Sequence, residues 1–186
     1  MQTVSNVLNL AKQAIMPALY KANVVVDATA GNGNDTLFLA EHTTDRAKIY
    51  AFDIQQAALD HTKEKTAAYS GRIKYVLDSH ENIDAVVAEA IDVAMFNLGY
   101  LPGEGHTVTT QVSSTLTAVK KVLDKLSCNG ICIIAAYPGH EAGAVEAVAL
   151  DKFMAALPVK KYTAGVYRLL NHRQTAPYIY IVEKVL

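Results

Sequence analysis

Two stretches of the chain carry residues whose types and spacing suit chemistry. In the first, Val24 to Asp35 (VVVDATAGNGND), three β-branched residues and an acid run into a loop holding Gly31 and Gly33, and an apolar run follows at Leu37, Phe38, Leu39 and Ala40. That order reads as a buried strand, a tight turn and the first turn of a helix. Glycines at 31 and 33 let backbone amides approach a ligand, and the helix that starts near Asn34 or Asp35 aims its unpaired N–H groups at the same spot. The chemistry implied is binding of an anionic or zwitterionic nucleotide-like ligand; a strand-turn-helix without a ligand is the plain alternative. In the second stretch, Asn97-Leu98-Gly99-Tyr100-Leu101-Pro102-Gly103 follows an apolar run. An amide at a strand end, an exposed backbone and a tyrosine suit holding an amino group by its protons while a flat ring packs on the aromatic face. A simple Gly-Pro turn is the competing reading.

Further residues bear on which ligand the first stretch would take. A dinucleotide fingerprint needs G-x-G-x-x-G, and here Thr36 stands at the third glycine, which weakens NAD. Twenty residues on, KIYAFDI ends its strand on Asp53, where an acid can accept hydrogen bonds from both hydroxyls of a ribose or cap the next helix. A third strand ends on Asp78, Ser79 and His80, groups able to read a purine edge or to cap a helix over Glu81 to Glu89. His140, in Pro138-Gly139-His140-Glu141-Ala142-Gly143, follows a fifth strand and would lie on the same carboxyl edge as Asn97 and Tyr100. A histidine there can take a proton from a substrate, although a surface or helix-capping role is commoner.

The elements that must position these residues alternate strand and helix. Val4, Val7, Leu8, Ala11, Ile15 and Leu19 are spaced for one face of a helix in residues 1–20, with Pro17 perturbing its last turn; it would cap the sheet or lie over the pocket. Helices are predicted over Gln55 to Tyr69, closed by Gly71, over Gln111 to Leu126 before a turn at Asn129-Gly130, and over Glu141 to Ala156. Strands are predicted over Lys48 to Ile54, Arg72 to Leu77, Asp92 to Phe96 and Ile131 to Tyr137. Tyr162 to Leu170 and Pro177 to Val185 form an antiparallel edge hairpin.

Bulk properties narrow the class. The chain has 186 residues, 51% apolar and 19% charged, so it is globular, with one domain expected over 1–186 and the helix of 1–22 covering the core. No run approaches a membrane span and no signal segment is visible, so a cytoplasmic protein without membrane contact is expected. Cys128 and Cys132 lack the spacing of a zinc site, and no metal is expected. A net charge of −1 argues against indiscriminate nucleic-acid binding. Residues 1–100 nevertheless carry a net −4 and residues 101–186 a net +3, which allows a basic face built from Lys120, Lys121, Lys125, Lys152, Lys160, Lys161, Arg168 and Arg173.

Taken together, the glycine loop after strand one, the acid after strand two and five β-α units ending in a hairpin resemble the class I S-adenosylmethionine-dependent methyltransferases over nearly the whole chain. The resemblance implies an α/β, Rossmann-like sheet of seven mostly parallel strands, with an antiparallel strand in the C-terminal hairpin and helices on both faces. More narrowly, DATAGNGNDTLFLA, NLGYLPG and YPGHEAG in this order resemble the small bacterial family labelled rRNA methylases, the YtqB type. Its characterised members methylate the aminomethyl group of 5-aminomethyl-2-thiouridine at the tRNA wobble position. The resemblance implies S-adenosyl-L-methionine as cofactor and tRNA as substrate. It places the methionine end against Asp27, Ala30, Asn32, Gly33 and Asp35, the ribose on Asp53, and the adenine near Ile54, Gln55, Ser79 and His80. Asn97, with the Leu98 carbonyl, would accept protons from the amine, Tyr100 would contact it and His140 would relay a proton. Leu98 and Gly99 replace both prolines of the Asn/Asp-Pro-Pro-Tyr element of many amino-methylating relatives, a looser turn that suits an aliphatic exocyclic amine. Methylation of another amine, in rRNA, a protein or a metabolite, is the alternative activity; a non-catalytic nucleotide- or RNA-binding module is the alternative class. A homodimer is the assembly expected.

Overall fold

A computed structural model describes residues 6–98 and 112–186. Helix α1 (Val7–Leu19) is followed by β1 (Val24–Asp27), α2 (Asn34–His42), β2 (Lys48–Asp53), α3 (Gln56–Lys65), β3 (Ile73–Leu77), the single turn α4 (Ile83–Val86), β4 (Ile91–Asn97), α5 (Val112–Lys125), β5 (Leu126–Ala136), α6 (Glu141–Ala155), β6 (Tyr162–Tyr167) and β7 (Tyr178–Lys184). The strands form one sheet in the order β3-β2-β1-β4-β5-β7-β6. Neighbours from β3 to β5 pair in parallel, and β7 is antiparallel to both β5 and β6. The expected mostly parallel seven-stranded sheet with a C-terminal hairpin is therefore what forms. Strand β7 is inserted between β5 and β6, which leaves β6 at the edge.

The apolar runs that predicted the central strands are continuous because both faces of the sheet are covered. Val24, Val26, Phe52, Ala94 and Phe96 point into one layer with Ile83 of α4, Val119 and Val122 of α5 and Leu150 of α6. The alternate residues Val25, Ile49, Ala51, Val93 and Met95 meet Ala11, Ile15 and Leu19 of α1, Leu39 of α2 and Leu59 of α3. The N-terminal helix thus caps one face through the stripe Val7, Ala11, Ile15 and Leu19, and it continues through Pro17. Among the described residues no helix is long and apolar enough to cross a membrane.

Three local expectations are corrected. The helix predicted over Glu81 to Glu89 shrinks to a 3-10 turn (His80–Asn82) and one α turn. Val87 is already extended at its end, and Glu89 is pulled to the foot of β2 by Lys48 Nζ (2.7 Å) and the Tyr50 hydroxyl (3.0 Å). Gly71 does not close α3, which stops at Thr66; the glycine lies within a 3-10 turn (Ala67–Arg72). There the Thr66 hydroxyl bonds the Thr62 carbonyl (2.6 Å) and the Tyr75 hydroxyl (2.7 Å), so a side chain ends the helix. Asn129-Gly130 does not precede the fifth strand but interrupts it, with Asn129 at φ 62° where β5 pairs first from Leu126 to Ile91 and then from Ile131 to Val93. Asn tolerates this left-handed conformation, and the extra residues bulge out of the ladder.

Candidate active site

In a sheet of this order the chain winds outward from β1 through β2 to β3 and then returns to β4 on the other side of β1, so a crevice opens at the carboxyl ends of β1 and β4. Asp27 ends β1 and Asn97 ends β4. The two ends are stitched together: the Ala28 amide donates to the Met95 carbonyl (2.9 Å), and the Asn97 amide to the Thr29 hydroxyl (2.7 Å).

Both loop glycines have positive φ, 52° at Gly31 and 74° at Gly33, which is why the loop turns so tightly onto α2. Gly33 is also pinned by space, because a Cβ there would stand 2.8 Å from the Thr62 Cα of α3. The loop is held from β2 and α3. Asp53 Oδ2 accepts from the Gly31 amide (2.9 Å), and the Thr62 hydroxyl donates to the Gly31 carbonyl (3.1 Å). The Gly31 amide is therefore spent on Asp53 rather than turned to a ligand. Among the described residues no side chain caps the first turn of α2, behind Gly33.

Asp27 is buried, with Oδ1 accepting from the Thr29 amide (3.1 Å) and Oδ2 from the Thr36 hydroxyl (2.6 Å). Burial, then the neighbouring Asp35 charge, pushes its pKa up to about 7. Asp35 is 7% exposed; its Oδ1 lies 2.8 Å from Lys12 Nζ and its Oδ2 accepts from Asn97 Nδ2 (3.0 Å). Asn97 Oδ1 accepts from the Tyr137 hydroxyl (2.7 Å). Burial, followed by Asp35, raises the Tyr137 phenol to about 12, so it remains a donor at neutral pH. With a phenol donating on one side and a carboxylate accepting on the other, only one orientation of the Asn97 amide satisfies both.

Asp53, at the end of β2, also accepts from the Gln55 amide through Oδ1 (2.9 Å). Beside it Ile54 is 57% exposed, and Leu77, at the end of β3, is 53% exposed. Two exposed aliphatic side chains flanking a carboxylate fit a flat purine and a ribose diol, with the acids Asp27 and Asp35 at the neighbouring strand and helix ends; the donor set suits an adenosyl compound.

The match to known proteins agrees with this donor set. Residues 49–183 match the family described as "Putative rRNA methylase". The chain belongs to this family. A family relative from Arabidopsis thaliana, named "tRNA (mnm(5)s(2)U34)-methyltransferase, chloroplastic", is 32% identical over 178 residues. That alignment covers 89% of this chain, which spans 65% of the relative's length. The solved structure of a Clostridium thermocellum protein described as a "putative rRNA-methylase" superposes with a TM-score of 0.94 at 31% identity, covering 98% of this chain and 99% of that one. A Streptococcus mutans protein described as "a putative methyltransferase", crystallised with S-adenosylhomocysteine, gives 0.87 at 37% identity, covering 96% and 98%. The sheet is thus the class I methyltransferase sheet.

Within this family frame, the structure brings Asp27, Ala30, Asn32, Gly33, Asp35 and Asn97 to the β1–β4 crevice, with Asp53 and Gln55 at the next strand end. The Asn32 side chain is half-buried and makes no hydrogen bond among the described residues. Ser79 caps the 3-10 turn through its hydroxyl, which accepts from the Glu81 amide (3.3 Å). His80 is buried against Phe96, with Nδ1 3.2 Å from the Ala28 carbonyl and Nε2 without a hydrogen-bond partner among the described residues; desolvation lowers its pKa. His140 lies beyond the end of β5 beside β4 and is the N-cap of α6, its Nδ1 accepting from the Gly143 amide (3.1 Å). Tyr100 lies outside the described residues. Sequence reasoning missed Lys12, Tyr137 and Thr62, and it treated Thr36 only as a missing glycine. For Tyr137 the signal was present, since it follows β5 directly on the edge where His140 was placed.

Proposed function

We propose that this protein is an S-adenosylmethionine-dependent RNA methyltransferase that methylates the primary amine of 5-aminomethyl-2-thiouridine at the tRNA wobble position. The observation that carries the reading is the set amide of Asn97 at the mouth of the switch-point crevice, supported by the Arabidopsis relative's printed activity. When bound, the cofactor supplies an electrophilic methyl group on a cationic sulfur. Asp27, Ala30, Asn32, Gly33 and Asp35 would surround its methionine end, Asp53 its ribose, and Ile54, Gln55, Ser79 and His80 its adenine.

The residues of the chain then have to present a neutral amine. An alkylamine is protonated near neutral pH and must give up a proton before its lone pair can attack. Asn97 Oδ1 has one lone pair engaged by Tyr137 and a second able to accept a hydrogen from the amine, with the Leu98 carbonyl as the next acceptor. Leu98 is 1% exposed and its amide is tied to the Ala135 carbonyl (3.1 Å), so its side chain is out of water and its backbone is fixed to β5. An acceptor that orients a neutral amine about 3 Å from the methyl contributes mainly by positioning. Tyr100 is assigned the ring contact. His140, whose Nδ1 caps α6, is assigned the proton relay.

The test is mass spectrometry of wobble nucleosides after incubating the purified protein with S-adenosylmethionine and tRNA from cells lacking its gene. One added methyl on 5-aminomethyl-2-thiouridine is the expected result; cofactor binding without any such gain would discard the tRNA assignment. Asn97→Ala should lower turnover by about a hundredfold or more while changing cofactor affinity less than about threefold. Equal loss of both would remove Asn97 from the amine.

A further inference from the structure

We propose that Lys12 of α1 is a positioning residue for methyl transfer, holding Asp35 in the arrangement that turns the Asn97 carbonyl towards the incoming amine. The inference rests on the reading of the β1–β4 crevice as the transfer site and extends it to a helix that no motif of the sequence ties to the chemistry.

Three contacts in series carry it. Lys12 Nζ is 2.8 Å from Asp35 Oδ1, with only 22% of the lysine side chain and 8% of the aspartate side chain exposed. Asp35 Oδ2 accepts from Asn97 Nδ2 at 3.0 Å, and Asn97 Oδ1 accepts from Tyr137 at 2.7 Å. Lys12 Nζ also sits 4.9 Å over the Phe38 ring, one turn along α2 from Asp35, so the ammonium is fixed from two points on α2. The chain of contacts thus runs from α1 through α2 and β4 to the residue after β5.

Docking of α1 does not need this lysine. The stripe that packs on the sheet is Val7, Ala11, Ile15 and Leu19, and Lys12 stands beside it. What Lys12 does is supply the counter-charge for a carboxylate that is nearly buried and has Asp27 as its neighbour. A buried carboxylate without a partner is costly and turns towards water when it can. If Asp35 turned away, Asn97 Nδ2 would lose its acceptor and the amide would be held by Tyr137 alone, whose hydroxyl can accept as well as donate, so the amide could flip and present N–H groups to the amine. A donor facing a donor cannot orient it. Lys12 therefore acts on the substrate through two intermediaries and touches neither the cofactor nor the reacting atoms.

The test compares wild type with Lys12→Met, Lys12→Gln and Lys12→Arg, each alone and Lys12→Met also combined with Asn97→Ala, as full-length protein. Single-turnover methylation of tRNA bearing the free wobble aminomethyl group and calorimetric binding of S-adenosylhomocysteine are both measured. Expected, at saturating S-adenosylmethionine, are a loss of about thirtyfold in turnover for Lys12→Met, a clearly smaller loss of cofactor affinity because Asp35 also faces the methionine end, and recovery to within about threefold of wild type for Lys12→Arg. On the Asn97→Ala background Lys12→Met should cost less than about threefold more, because the group it orients is gone. If Lys12→Met does not fold, Lys12→Gln, which keeps a polar stem without the charge, is read against Lys12→Arg in the same way. Wild-type turnover without the charge, a fully additive double variant, or parallel loss of cofactor binding would each overturn the role of Lys12. A wild-type protein that methylates no amine in tRNA would overturn the site reading and this inference together.

Discussion

Asp27 illustrates what a buried acid at the mouth of the crevice costs in stability. Its pKa in the fold is raised to about 7 by burial and by Asp35, against an ordinary value of about 3.9 for the unfolded chain. The folded state therefore holds a proton that the unfolded state has lost between these two values, and stability falls as pH rises from about 4 to about 7, then stays reduced. Asp27→Asn removes that cost: at pH 8 its unfolding temperature should exceed that of the wild type by about 3 °C, roughly 1 kcal/mol for a chain of this size, and the gain should vanish near pH 4. The same variant should bind the cationic cofactor more weakly, which calorimetry would record; a variant no more stable at pH 8 would contradict the assigned environment. At this scale the sequence told most where a residue sits in a local motif. Asp27, Gly33 and Asp53 were legible from the strand-loop-helix pattern alone. Lys12 was not, because 23 positions of chain separate it from Asp35 and only the packing of α1 against α2 brings the two charges together.

Among elements, the loop between β1 and α2 depends on α3 as much as on its own glycines. Gly33→Ala places a Cβ at φ 74° and 2.8 Å from the Thr62 backbone, so the substitution should cost about 2–3 kcal/mol, roughly 6–10 °C in unfolding temperature. Gly71→Ala is the control: nothing lies within 4 Å of its Cβ position and its φ is not positive, so thermal unfolding should be unchanged or slightly later. If both alanines behave alike, the loop is not constrained as described. The pair also shows what the sequence could and could not disclose. Buried strands announced themselves as apolar runs, since a sheet covered on both faces admits little else. The ends of α3 and α4 did not, because they are set by tertiary partners, Tyr75 for Thr66 and Lys48 for Glu89. Asn129-Gly130 carried a turn signal that the fold uses as a bulge.

For the whole molecule, the charge asymmetry between the halves meets the geometry of the crevice. Of the eight cations expected on a basic face, Lys121, Lys161 and Arg168 are held by Asp84, Asp124 and Asp151. The crevice itself is lined by Asp27 and Asp35, with Asp53 at the next strand end, so the backbone of the proposed RNA substrate would have to be held by cations further out. With about two to four phosphates contacted, KM for tRNA should rise roughly ten- to a hundredfold between about 50 and about 200 mM salt, with cofactor affinity nearly constant. Steady-state kinetics at several salt concentrations would show this, and a flat KM would point to a substrate other than RNA.

Thr36 gives the loop a history as well as a shape. A third glycine at this position would complete the dinucleotide fingerprint on paper, yet the hydroxyl found there is the hydrogen-bond donor that Asp27 Oδ2 relies on at 2.6 Å. Swapping in the glycine would strip a buried carboxyl of one of its two donors, leaving only the Thr29 amide, before any new ligand had gained a foothold. The two cofactor classes, which look one substitution apart in sequence, are separated by a valley that no single change crosses, and a designer wishing to convert one into the other would have to begin at Asp27.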